Sequence, residues 1–105
     1  MTHLNVTTAL GTREEALALL RSAVKSRHAA SGQIHGPVTA AWWHNGEYGE
    51  SEEWVLLLKT TTANRAALET HLAESHPWGT TAEVTVTPID GTPYYLDWIT
   101  RTTTG

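Results

Sequence analysis

Six histidines are scattered through a chain of 105 residues that contains no cysteine. Thiolate nucleophiles, thiolate metal ligation and disulfides are therefore closed to it, and any metal must be held by His, Asp or Glu. No two of the histidines have the i, i+4 helical spacing or the short-loop spacing of a zinc site, and His71 and His76 straddle a helix end. The spacing assigns no metal site and no cofactor, and it predicts that copper(II) binds only weakly, to surface imidazoles. Lys59 lies in "WVLLLKT", where an ammonium among apolar side chains is costly unless it is paired. Glu83 is its natural partner, and the pair serves either as a salt bridge holding an interface or as a grip on a ligand. Five tryptophans add large apolar rings with a polar handle, for packing or for the wall of a pocket that takes a flat molecule.

Composition narrows the classes that such residues can serve. Apolar residues make up 40% and charged residues 17%, with both signs interspersed, which excludes a disordered or fibrous chain. The formal charge is −4 and no basic run is present to neutralise phosphates, so nucleic acid is excluded as a partner. "MTHLNVTTALGTREEA" has neither the basic start nor the apolar run of a signal peptide, and no stretch reaches membrane-spanning length. The expectation is a cytoplasmic protein with no membrane partner. At this size a chain buries only about two thirds of its unfolded surface, so a second copy would add useful core and an oligomer is expected.

The elements that must position these residues follow from periodicity. "HLNVTT" alternates as a half-buried strand. Thr12 and Glu15 form a capping box ahead of Ala16, Leu17, Leu20, Ala23 and Val24, which predicts a helix to about Arg27. From Gln33 the period returns to two, and Asn45-Gly46 supplies the positive φ angles of a tight hairpin, either as a two-residue turn or as a bulged longer one. Each arm runs about a dozen residues, roughly twice the length of an ordinary strand. In "WVLLLK" Trp54, Leu56 and Leu58 face one side and Val55 and Leu57 the other, so both faces need cover. Thr61 or Thr62 caps a second helix that turns Ala67, Leu68 and Leu72 inward and stops at "SHPWG". "EVTVTPI" is a fourth strand, and Thr92-Pro93 opens a short helix "PYYLDWI" followed by a frayed, mobile "TRTTTG".

The order βαββαβ plus a terminal helix, with no linker or repeat, predicts one α+β domain over residues 1–105. It is a ferredoxin-like sandwich with two helices on one face of an antiparallel sheet and an extended hairpin between the second and third strands. The other face carries His3, Asn5, Thr7, His35, Thr39, Thr85 and Thr87 together with the second side of "WVLLLK". Other subunits are expected to close it, each hairpin reaching a neighbour in a cyclic assembly.

Several stretches together resemble the CutA family, named for divalent-cation tolerance: "TT" at 7–8, "HAAS" at 28–31 with "QI" at 33–34, "WWHNGE" at 42–47, "EEWVLLLKT" at 52–60, "HP" at 76–77 and "GTPYYLDWI" at 91–99. The resemblance covers almost the whole chain. It implies a homotrimer whose sheets pack around a three-fold axis with clefts between subunits. The chain departs from the family where a cysteine follows the paired alanines, since Ser31 stands there, and this weakens any link to copper. It departs again in "HPWGTTAE", where Trp78 replaces a Tyr, Gly79 a Glu and Ala82 a Pro, while Glu83 is kept.

The resemblance places these departures at the intersubunit cleft. It implies a scaffold or adaptor that binds a small ligand or, weakly, divalent cations there. The alternative is an enzyme whose altered cleft carries acid–base or cyclisation chemistry on an organic molecule. Under that alternative His76 and Glu83 are the catalytic candidates. The competing role for His76 is to bond backbone carbonyls at the end of the second helix. Trp43, Lys59, Trp78, Tyr95 and Trp98 are the candidate ligand-binding residues. Losing a carboxylate and gaining an indole predicts a cleft that prefers neutral or anionic organic molecules to cations.

Overall fold

The computed structural model describes residues 2–104. Strand β1 (His3–Leu10) leads to helix α1 (Arg13–Lys25), then to the hairpin strands β2 (Ser31–His44) and β3 (Glu47–Thr61). Helix α2 (Arg65–Ser75), strand β4 (Val84–Pro88) and helix α3 (Pro93–Thr104) follow. The four strands form one antiparallel sheet in the order β2-β3-β1-β4, the predicted arrangement.

Alternation along β1 sorts its side chains. Leu4, Val6, Thr8 and Leu10 are buried, while His3, Asn5 and Thr7 on the other face are half-buried. Across the ladder Val6 meets Leu58 and Val86, and Thr8 meets Leu56 and Val84. Onto this side pack Ala16, Leu19 and Ala23 of α1 with Leu68 and Leu72 of α2, closing the core. Thr12 Oγ1 accepts the Glu15 amide at 3.1 Å, so the capping box starts α1 as read. The helix stops at Lys25, earlier than predicted, because Arg27 takes a left-handed φ of 65°. Thr61 caps a short 3₁₀ turn, Thr62–Asn64, that runs into α2. Ala67, predicted inward, is exposed, since the buried stripe of this short helix is Leu68 and Leu72 alone.

Asn45 at φ 52° and Gly46 at φ 80° make the two-residue hairpin turn, with His44 opposite Glu47. That settles the register that the sequence left open. Between His35 and Val38 the ladder slips: His35 faces Val55, but Val38 faces Glu53. Gly36-Pro37, joined by a cis peptide, sits in this bulge. One extra residue in β2 turns every later side chain to the opposite face. Thr39 therefore pairs with Glu52 and does not share a face with His35.

The C-terminal stretch also differs from expectation. Residues 100–104 continue α3, Ile99 and Thr103 are buried, and His3 Nε2 lies 2.9 Å from Thr100 Oγ1. The Arg27 guanidinium donates to the Thr102 carbonyl at 3.0 Å. Threonines suit a frayed end, but here tertiary partners hold them in the helix.

Candidate functional site

Past its bulge, the hairpin leaves its own core. No residue from 37 to 53 is buried, and the molecule measures 44 × 24 × 22 Å. This arm carries two consecutive indoles, Trp42 and Trp43. Trp42 lies against Gly49, where a Cβ would stand 2.8 Å from the indole ring, so only glycine lets the ring cross the neighbouring strand so closely. Trp43 is 74% exposed and meets Tyr48 edge-on at 5.7 Å. Tyr48 in turn donates to Glu50, and that bond to a carboxylate raises its pKa above the ordinary 10.0, with some help from desolvation.

Facing the arm is the loop that follows α2, and His76 fixes it. The imidazole is 4% exposed. Its Nε2–H donates to the Ala9 carbonyl at 2.9 Å, and its Nδ1 accepts the Trp78 amide at 3.1 Å. A carbonyl can only accept and an amide can only donate, so the ring is held as the neutral Nε2–H tautomer with both nitrogens committed. The Trp78 indole leans on this ring at 5.1 Å. Behind it Gly79 takes φ 58° and Thr81 Oγ1 donates to the Trp78 carbonyl at 2.7 Å.

Between arm and loop lies a groove of about 690 Å³, within the range of small-molecule sites. Trp42, Trp43 and Trp78 wall it, and His44, Glu53 and Glu83 supply its titratable groups; neither Lys nor Arg lines it. The sequence reading placed Trp43, Trp78 and Glu83 together, and the structure joins them here.

Other candidates lie elsewhere. Lys59 donates to Asn5 Oδ1 at 2.8 Å, directly across the β1–β3 ladder, so its partner is Asn5 and not Glu83. Glu83 precedes Val84, which pairs with Thr8 further along β1. Ser31 also pairs with Lys59, so the two departures from the family pattern sit apart within one chain. Tyr95 and Trp98 stack on α3 at 5.8 Å and do not line the groove. Lys59 does not line this groove, whose acidic residues are Glu53 and Glu83. Sequence reasoning missed Trp42, His44 and Glu53. For Trp42 and His44 the Pro37 break within a strand was the signal, since it marks the bulge in β2 that re-aims them, whereas Glu53 lies on β3 and carried no such signal.

Among the described residues no helix is long and apolar enough to cross a membrane. Residues 4–102 match the model of a family described as CutA1 divalent ion tolerance protein. The chain is 34% identical over 91 residues to the divalent-cation tolerance protein CutA of Thermus thermophilus, covering 86% of this chain and 87% of that protein. It is 31% identical over 82 residues to the CutA of Pectobacterium atrosepticum, covering 77% and 74%. Its backbone matches the solved Cut A1 structure from Thermus thermophilus with a TM-score of 0.87 at 32% identity, over 92% of this chain and 94% of that one. It matches CutA1 from a psychrotrophic Shewanella with a TM-score of 0.92 at 25% identity, over 99% and 97%. With the overlong hairpin, the paired helices and nearly the whole sequence all accounted for by that one model, the chain belongs to the CutA1 divalent ion tolerance family.

Proposed function

We propose that the chain, as one domain, is a homotrimeric binding module whose indole-walled groove takes small organic cations and, weakly, divalent metal ions. The observation that carries this reading is the groove's make-up. Indole faces attract ammonium groups through the ring quadrupole, and Glu53 and Glu83 add negative charge at the same place. Family membership and the uncovered hairpin support assembly, because a hairpin without cover in its own chain gains it from a neighbour. On this reading no acid–base role falls to His76, whose nitrogens are both committed.

Light scattering should give three times the 11.5 kDa chain mass, persisting at low micromolar concentration. Intrinsic fluorescence titration with an aromatic quaternary ammonium probe should saturate, and the carboxylate analogue of the same size should bind more weakly. Trp78→Ala should cost the probe about 1–3 kcal/mol while leaving the assembly intact. Equal affinity of the variant and the parent, or a preference for the anion, overturns the groove reading; a stable monomer overturns the assembly.

A further inference from the structure

Far from the groove the fold brings together two histidines that lie well apart in the sequence. His28 follows the end of α1 and His71 lies on α2, and their ring centroids are 5.0 Å apart with the planes inclined at 52°. Both line a shallow pocket of about 390 Å³, as does Glu74, one helical turn beyond His71 on the same helix face. Ser22 Oγ hydrogen-bonds His71 Nε2 from α1.

This separation suits a shared ion. An imidazole nitrogen binds zinc at about 2.0–2.1 Å, which puts each ring centroid roughly 3.2 Å from the metal. Two rings meeting at an angle of roughly 100° then have centroids about 5 Å apart, the distance found here. Ser22 fits the second requirement of such sites, that the ring nitrogen away from the metal be held by a hydrogen bond that fixes the tautomer. If Nε2–H donates to Ser22, the Nδ1 lone pair of His71 is free to bind. Among the described residues no three His, Asp or Glu side chains already converge on a point. Glu74 is exposed, so its carboxylate has room to turn about its own side-chain bonds.

We propose that His28 and His71 form a two-imidazole site for a divalent first-row transition ion of the zinc type, with Glu74 swinging in as third ligand and water completing four-coordination. Two His, one Glu and a water is a donor set that zinc accepts in open sites. None of these residues lines the groove, so the site stands or falls separately from the groove and the trimer.

Calorimetric titration of the intact protein with zinc(II) near pH 7.5 should show one ion per chain. His28→Gln and His71→Gln should each weaken it at least tenfold, and Glu74→Gln several-fold. His35→Gln, at a histidine that lines neither the pocket nor the groove, should leave it unchanged. Long-range nitrogen-15 NMR should show the ring nitrogens of His28 and His71 shifting together on zinc addition. Because the Gln variants are on half-exposed residues, their thermal melts without metal serve as the folding control, and zinc should raise the melting temperature of the parent but not of His28→Gln. Unchanged affinity in either histidine variant, or a shift confined to one ring, overturns the proposal.

Discussion

A buried histidine next to a pocket invites a catalytic reading, and His76 shows why atoms must decide. Its ring is a strut between β1 and the loop that carries Trp78: one nitrogen holds a strand carbonyl, the other a loop amide. Sequence reasoning foresaw a bond to backbone but placed it at the end of α2, whereas the acceptor is Ala9 on β1. His76→Ala should therefore destabilise the fold by about 1–3 kcal/mol, the cost of leaving a buried carbonyl without its donor. Urea denaturation measures this, and the Trp78 fluorescence of the folded variant should shift as its loop loses its anchor. The Lys59 ammonium teaches the converse lesson. That it needed a partner was legible from its apolar neighbours, but which partner depended on register, and register put Asn5 opposite it.

Elements were legible where a local signal fixes them. The Thr12 cap and the Asn45-Gly46 turn act within a few residues of themselves and stand where they were read. Thr61 caps the 3₁₀ turn that leads into α2, and Asn64 is the N-cap of α2 itself. The bulge in β2 and the helical C-terminus were not so legible, because one depends on pairing with β3 and the other on contacts from His3 and Arg27. The contact between α1 and α2 is of the second kind, and it predicts a pH response. His71 has its pKa lowered below 6.5, chiefly by burial and then by His28, with Glu74 acting the other way. The folded state thus takes up its proton at lower pH than the unfolded chain does. Its contribution to stability is full above about pH 6.5 and is lost as pH falls through the folded-state value. Denaturation midpoints measured without metal from pH 7.5 to 5 should fall over that window, and His71→Gln should flatten this part of the profile.

At the scale of the whole molecule the chain divides into a part that closes on itself and a part that does not. The buried cluster draws on β1, α1, α2, Ala29 and the Leu56–Leu58 stretch of β3, and on nothing between residues 37 and 53. That outer arm nevertheless exposes Val38, Trp42, Trp43 and Tyr48, and covering one such side chain fully is worth roughly 1.5–3 kcal/mol. An arm that adds little to its own fold and carries this much apolar surface is where assembly should be decided. Joining Val38 to Glu53 through a new Asn-Gly turn keeps their existing pairing and removes everything beyond it. Because the core is untouched, the shortened chain should still unfold cooperatively in urea. Light scattering should give the mass of a single chain, and its melting temperature should no longer rise with protein concentration, as that of a trimer must. A shortened chain that still assembles by threes would move the decisive contacts to the sheet face of Asn5, Val55 and Leu57; one that fails to fold would mean that the arm stabilises the protomer after all.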